Sequence, residues 1–139
     1  MDSQQVELIG RSMLEARLIE EGFEVARPNR DRGIDLIAYL DRTGAGHFAA
    51  VPIQMKASEG TRIGAWRKFK RTDDLVVVYV WNVTSEKPRF FIMSAKEAVA
   101  LIPKTSKHGG WSWPKAPRWL VKKLEQFENR WDWLKERLS

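Results

Sequence analysis

The stretch that decides the fold is GIDLIAYLDRTGAGHFAAVPIQMKAS, Gly33 to Ser58. Ile34, Leu36, Ala38 and Leu40 alternate with Asp35, Ile37 and Tyr39, which is the period-two pattern of a strand with one apolar face. The run RTGAG, Arg42 to Gly46, carries hairpin chemistry with two glycines. HFAAVPIQMKAS then returns as an antiparallel strand, with Ala49, Val51, Ile53 and Met55 on one face and Pro52, Gln54 and Lys56 on the other. Pro52 lacks an N–H, so a bulge or an edge position is expected there. If the hairpin closes, Asp35 at the start of one strand meets Gln54 and Lys56 at the end of the other. An acid, an amide and an amine then project together. Gly33 allows a close backbone approach, and Asp31 adds a second carboxylate or serves only as turn chemistry.

Outward from the hairpin, Asp2 to Glu21 predicts a helix. Asp2 and Gln5 form a capping box, Gly22 stands at the C-terminal stop, and Val6, Ile9, Met13 and Ala16 make an apolar stripe widened by Leu14 and Leu18. FEVAR, Phe23 to Arg27, predicts a strand, and PNRDRG a turn. Thr61 to Lys70 reads as a short helix. DDLVVVYVWN, Asp73 to Asn82, is apolar and β-branched enough to be a strand buried on both faces. PRFFIM, Pro88 to Met93, is a further strand, after which Ser94 and Glu97 cap a helix. Pro103 to Pro117 reads as a loop. The last helix carries Leu120, Leu124, Phe127, Trp131, Leu134 and Leu138 at heptad-like spacing, a seam to be buried against this chain's own sheet or a second copy in a homodimer. The order α-β-β-β-α-β-β-α-α gives a mixed α/β fold with helices flanking the sheet.

Composition narrows the chemistry. The 139 residues, 43% hydrophobic, suit a single domain with a core. There is no cysteine and there are two histidines, so thiolate zinc sites are excluded and a metal would be held mostly by oxygen, as magnesium, manganese or calcium is. The N-terminus has no signal-peptide plan and no apolar run is long enough for a membrane span, so a cytoplasmic protein is expected. The net charge of +6 invites a polyanion. From Pro103 onward nine Lys and Arg face four Asp and Glu, so most of the excess lies in the last quarter.

The run DRGIDLIAYLD, the glycine hairpin and PIQMK, preceded by a glutamate-bearing helix and GFEVARP, resembles the PD-(D/E)XK nuclease superfamily, in its restriction-endonuclease-like and Holliday-junction-resolvase-like branches. The resemblance implies an α-β-β-β-α-β core over residues 2 to about 94 and a basic, Trp-rich loop and helix over 103–139. It implies magnesium-dependent cleavage of DNA, with branched or junction DNA among the candidate substrates. It carries the metal-binding aspartate onto Asp35, the acidic position of the signature onto Gln54, its lysine onto Lys56 and the intervening carbonyl onto Met55. The helix glutamate falls to Glu7 or Glu15, Glu7 first, with Arg11 between them. Asp31 joins the candidate metal ligands. Gln54 departs from the usual acid and removes one negative charge. The rival readings are a catalytically inactive DNA-binding module on the same fold, and a structural or partner-binding protein.

Nucleic-acid contacts are expected at Lys68, Lys70 and Arg71, as phosphate anchors, and at Lys107, Trp111, Trp113 and Lys115, where aromatics among bases can stack on unpaired nucleotides. The alternatives are a solvated face for the first group and pinning of a long loop for the second. Trp66 and Trp81 read as packing residues.

Overall fold

The computed structural model describes residues 1–42, 44 and 46–139. Helix α1 (Ser3–Glu20) opens on the expected capping box: the Gln5 N–H donates to Asp2 Oδ1 at 2.9 Å and the Asp2 N–H donates to Gln5 Oε1 at 3.0 Å. Gly22 follows it with φ +97°. Strands β1 (Glu24–Ala26), β2 (Leu36–Tyr39), β3 (Ala50–Ala57), β5 (Val76–Trp81) and β6 (Arg89–Ser94) form one sheet in the order β1-β2-β3-β5-β6. Only β3 and β5 run parallel among these neighbours; the rest are antiparallel. Strand β4 (Ile63–Trp66), a 3-10 turn (Arg67–Arg71) and the short capped helix α2 (Ala95–Val99) cover one face. Of the expected RTGAG turn, Thr43 and Ala45 lie outside the described residues, and Gly44 and Gly46 both have positive φ.

The sheet separates two apolar clusters, and β5 serves both. Val76, Val78 and Val80 point to the α1 side, while Val77, Tyr79 and Trp81 point to the α2 side. All six are buried, which is the two-faced burial its composition predicts. On α1 the buried stripe is Val6, Gly10, Leu14 and Leu18. Ala16 is exposed instead, because the helix turns its Gly10 side to the sheet.

Several expectations are corrected. Residues 61–70 are not a helix: Ile63–Trp66 is a strand, because it pairs antiparallel with β7 (Gly110–Trp113), and only the 3-10 turn after it is helical. The same pairing puts a strand inside the expected 103–117 loop. Strand β3 is central in the sheet, but at Pro52 it is paired on one side only, with Ile37 on β2; the parallel ladder with β5 begins at Ile53, which is the local edge position expected of a proline. The C-terminal helix is broken into α3 (Arg118–Leu124), a 3-10 turn (Glu125–Phe127) and α4 (Trp131–Glu136). Asn129 adopts φ +57° at the break, with its N–H donating to the Phe90 carbonyl on the edge strand.

That break changes the meaning of the heptad-like seam. Leu120, Leu124 and Phe127 enter the α2-side cluster, and Trp131, Leu134 and Leu138 enter the α1-side cluster. The chain wraps around the edge of the sheet, so the seam is spent within one copy and offers no dimer surface. Arg89 on β6 clamps the crossing with two 2.9 Å bonds to Glu128. Among the described residues, no helix is long and apolar enough to cross a membrane.

Candidate active site

Asp35 immediately precedes β2, after a turn in which Gly33 has φ +91°. Only 8% of it is exposed. Its N–H donates to the Ile53 carbonyl at 2.8 Å, and its Oδ2 accepts from the Met55 N–H at 2.7 Å. Backbone and side chain are both strapped to β3, so the carboxylate is fixed before any ligand arrives.

Two further carboxylates converge on it. Helix α1 crosses β3 with Gly10 at the contact: a Cβ there would lie 2.5 Å from Ala57 Cβ and 3.4 Å from Met55 Sδ. That close approach brings Glu7, one turn earlier, to the end of β2. Asp31 arrives on the turn, where its Oδ1 also accepts from the Gly33 N–H at 3.3 Å, so it serves the turn and lies in the carboxylate cluster as well. One carboxylate oxygen each from Glu7, Asp31 and Asp35 lies within 4.8 Å of the others.

The electrostatics follow from this crowding. Burial raises the Asp35 pKa above the ordinary aspartate range, the Met55 N–H opposes the rise, Asp31 and Glu7 add to it, and the Lys56 ammonium lowers it. A divalent cation among the three acids would relieve both the desolvation and the mutual repulsion, and an all-oxygen donor set of this kind is the one hard cations take. The donor set therefore fits a hard cation.

Gln54 and Lys56 leave β3 on the opposite face to Ile53 and Met55, as their alternation requires. Gln54 lines a cleft of about 220 Å³ with Arg32, Gly33, Ile34, Lys68, Arg71, Thr72 and Leu75. Its walls bear three cationic side chains and no carboxylate. Lys56 Nζ lies 5.1 Å from the centre of the Trp66 indole. A cluster able to hold a cation thus adjoins a cleft able to hold an anion, with Asp35 and Gln54 at the boundary.

The fold resembles that of a bacterial homing endonuclease. The solved structure of I-Ssp6803I superposes with a TM-score of 0.62 at 13% sequence identity, over 99% of this chain and 94% of that one. No protein-family model and no curated protein sequence matches the chain. The likeness is one of fold: a mixed sheet with flanking helices and a C-terminal helical segment.

Not every expected residue reaches the site. Glu15 is spoken for by Arg27, whose Nε and Nη2 donate to its two oxygens at 2.5 and 2.9 Å. Two helical turns from Glu7, it is paired with the residue that follows β1 and is not among the carboxylates grouped with Asp35. Met55 contributes a backbone N–H to Asp35. Lys68 and Arg71 line the cleft, whereas Lys70 lies in a neighbouring depression with Thr72, Asp73, Ala95 and Lys96. Trp111 and Trp113 lie on β7, 6.2 Å apart edge to face, with Trp113 partly buried and Trp111 40% exposed. Lys107 and Lys115 are exposed on either side of that strand. The sequence reading missed Arg32 in the cleft wall, because its neighbours Asp31 and Gly33 read as a turn. It also missed Trp66 as the neighbour of Lys56, since nothing local joins residues 56 and 66.

Proposed function

We propose that this chain is a metal-dependent DNA endonuclease of the PD-(D/E)XK type, acting as one domain over residues 1–139. The observation that carries the reading is the buried Asp35 carboxylate, flanked by Glu7 and Asp31 and bordered by Lys56 and the cation-lined cleft. The fold likeness to a homing endonuclease supports it. Asp35, Asp31 and Glu7 would hold magnesium or manganese, with the Gln54 amide and the Met55 carbonyl as further oxygen donors. When bound, such an ion polarises a phosphoryl oxygen and lowers the pKa of a coordinated water.

The chain's own residues do the rest. Lys68, Arg71 and Arg32 bind backbone phosphates in the cleft, which sets the register of the DNA without reading its sequence. Lys56 presents an ammonium on the Asp35 side, where it stabilises negative charge developing on the phosphate. The Met55 N–H holds Asp35 Oδ2 and so fixes the direction of the carboxyl group. On β7 and the segments on either side of it, Lys107, Lys115, Trp111 and Trp113 contact DNA beyond the scissile step, with the exposed Trp111 placed to stack on an unpaired base.

The test is cleavage of duplex, flapped and four-way-junction DNA by purified protein with magnesium or manganese. Cleavage is expected with wild type and is lost in Lys56→Ala and in Asp35→Asn, both remaining folded. Salt-dependent DNA binding with no cleavage of any substrate would replace this reading with an inactive DNA-binding module, in which Gln54 marks the lost acid.

A further inference from the structure

Strand β4 places alternate residues on opposite faces. Ile63 and Ala65 face the core at 1% and 0% exposure, and Gly64 and Trp66 face the other way. Across the ladder, Gly110 pairs with Trp66. A Cβ on Gly64 would lie 2.5 Å from Trp66 Cη2 and 2.8 Å from Cζ3, and one on Gly110 would lie 2.7 Å from Cδ1 and 3.0 Å from Cγ. The indole therefore lies flat across both strands, its six-membered ring over Gly64 and its five-membered ring over Gly110. Neither glycine has a positive φ. At Gly64 it is the indole that leaves no room for a Cβ; at Gly110 the indole does so together with the Ala65 carbonyl oxygen, 2.5 Å from where a Cβ would stand.

The support beneath the ring is fixed from below and from the side. The buried Tyr79 hydroxyl donates to the Gly64 carbonyl at 2.7 Å, and Trp81 Nε1 donates to the Arg62 carbonyl at 2.9 Å. The Arg67 N–H donates to the Gly109 carbonyl at 2.8 Å, and its guanidinium donates to the carbonyls of Ser106 and His108. Phe69 closes on the indole edge at 5.9 Å. On the open face sits Lys56 Nζ, 5.1 Å from the ring centre. Lys56 makes no salt bridge among the described residues, so the indole is the fixed feature that sets where its flexible stem ends.

We propose that Trp66 is the positioning residue of Lys56: an indole platform, laid flat by Gly64 and Gly110, that holds the ammonium beside Asp35 by a cation–π contact. The role of Lys56 in cleavage rests on the function proposed above; its placement by Trp66 does not. A cation–π contact of this kind corresponds to a preference of about 3- to 30-fold for the held position.

Two measurements test it. In proton–carbon NMR of lysine side chains, the Lys56 ε-methylene, assigned by its disappearance in Lys56→Ala, should show an upfield ring-current shift. That shift should vanish in Trp66→Leu and persist in Trp66→Phe. In cleavage assays kcat should fall about 3- to 30-fold in Trp66→Leu with KM unchanged, and Trp66→Phe should recover most of it. An unshifted Lys56 resonance in wild type, or one unmoved by Trp66→Leu, overturns the proposal, as does a Trp66→Leu variant that cleaves DNA with the wild-type kcat. A protein that cleaves no DNA yet shows the shift, and loses it in Trp66→Leu, keeps the platform and discards the nuclease reading.

Discussion

Gly10→Ala is the perturbation that tests how the carboxylate cluster is assembled. An added Cβ would stand 2.5 Å from Ala57 Cβ, and ordinary contact begins at 3.4 Å, so helix α1 and strand β3 must part by about 0.9 Å. Alanine improves intrinsic helix propensity by about 1 kcal/mol over glycine. Overpacking costs about 1–3 kcal/mol, and here both clashing atoms are held by backbone, which selects the upper half of that range. The net expectation is a loss of about 1–2 kcal/mol, read as a melting temperature roughly 4–8 °C lower. Glu7 rides on the same helix, so the displacement also opens the cluster with Asp35 and Asp31. A misplacement of about 1 Å can cost up to about 100-fold in rate. The assay is thermal unfolding together with magnesium-dependent stabilisation and cleavage. Ala57→Gly removes the opposing Cβ and should restore both in the Gly10→Ala background, although alone it costs up to about 1 kcal/mol. A Gly10→Ala variant that melts at or above wild type, or one that Ala57→Gly fails to rescue, would refute the close helix–strand contact as the device that delivers Glu7.

Three further outcomes are expected. Because the folded-state pKa of Asp35 is raised, the native state binds its proton more tightly than the unfolded chain, so this group's contribution is present below the ordinary aspartate pKa and lost as pH rises through the raised value. Urea unfolding across that window should show the loss in wild type and not in Asp35→Asn, and magnesium at neutral pH should raise the melting temperature of wild type alone. Replacing Lys68 and Arg71 together by Ala should weaken duplex binding and flatten the plot of log affinity against log salt by about 1.8, the share of two phosphate contacts. Gln54→Glu should strengthen magnesium binding while weakening DNA binding about 3- to 10-fold at low salt, with a slope flatter by about one contact, measured by titration calorimetry and anisotropy.

What the sequence made legible was local or periodic. The capping boxes at Asp2 and Ser94 and the unbroken apolar, β-branched run VVVYVW each rest on residues a few positions apart, and each is present in the structure. What it hid depends on distant partners. Residues 63–66 become a strand because residues 110–113 pair with them, and neither segment announces the other. The C-terminal heptads looked continuous because both core faces of one sheet demand the same residue types, while the left-handed Asn129 that divides them carries a weak signal. Around the candidate site, alternation placed Gln54 and Lys56 on one face of β3. That Glu7 rather than Glu15 neighbours Asp35 was not legible, since it depends on α1 touching β3 at Gly10 and on Arg27 holding Glu15.

Gln54 takes on a different meaning once its surroundings are known. Read in sequence, it is a missing acid, and the site is one charge short. In the fold, acids come from Glu7 and Asp31 instead, each within 4.8 Å of Asp35, so the cluster already holds three carboxylates without position 54. Gln54 meanwhile opens into a cleft whose walls are Arg32, Lys68 and Arg71. A glutamate there would draw one of those cations into an ion pair and withhold it from a phosphate, whereas a neutral amide can donate to a phosphate and accept from a neighbour at once. An amide at the boundary between a cation cluster and an anion cleft avoids committing to either charge. The opposed effects expected of Gln54→Glu on metal and on DNA follow from that boundary; an acid lost by decay predicts that both would improve.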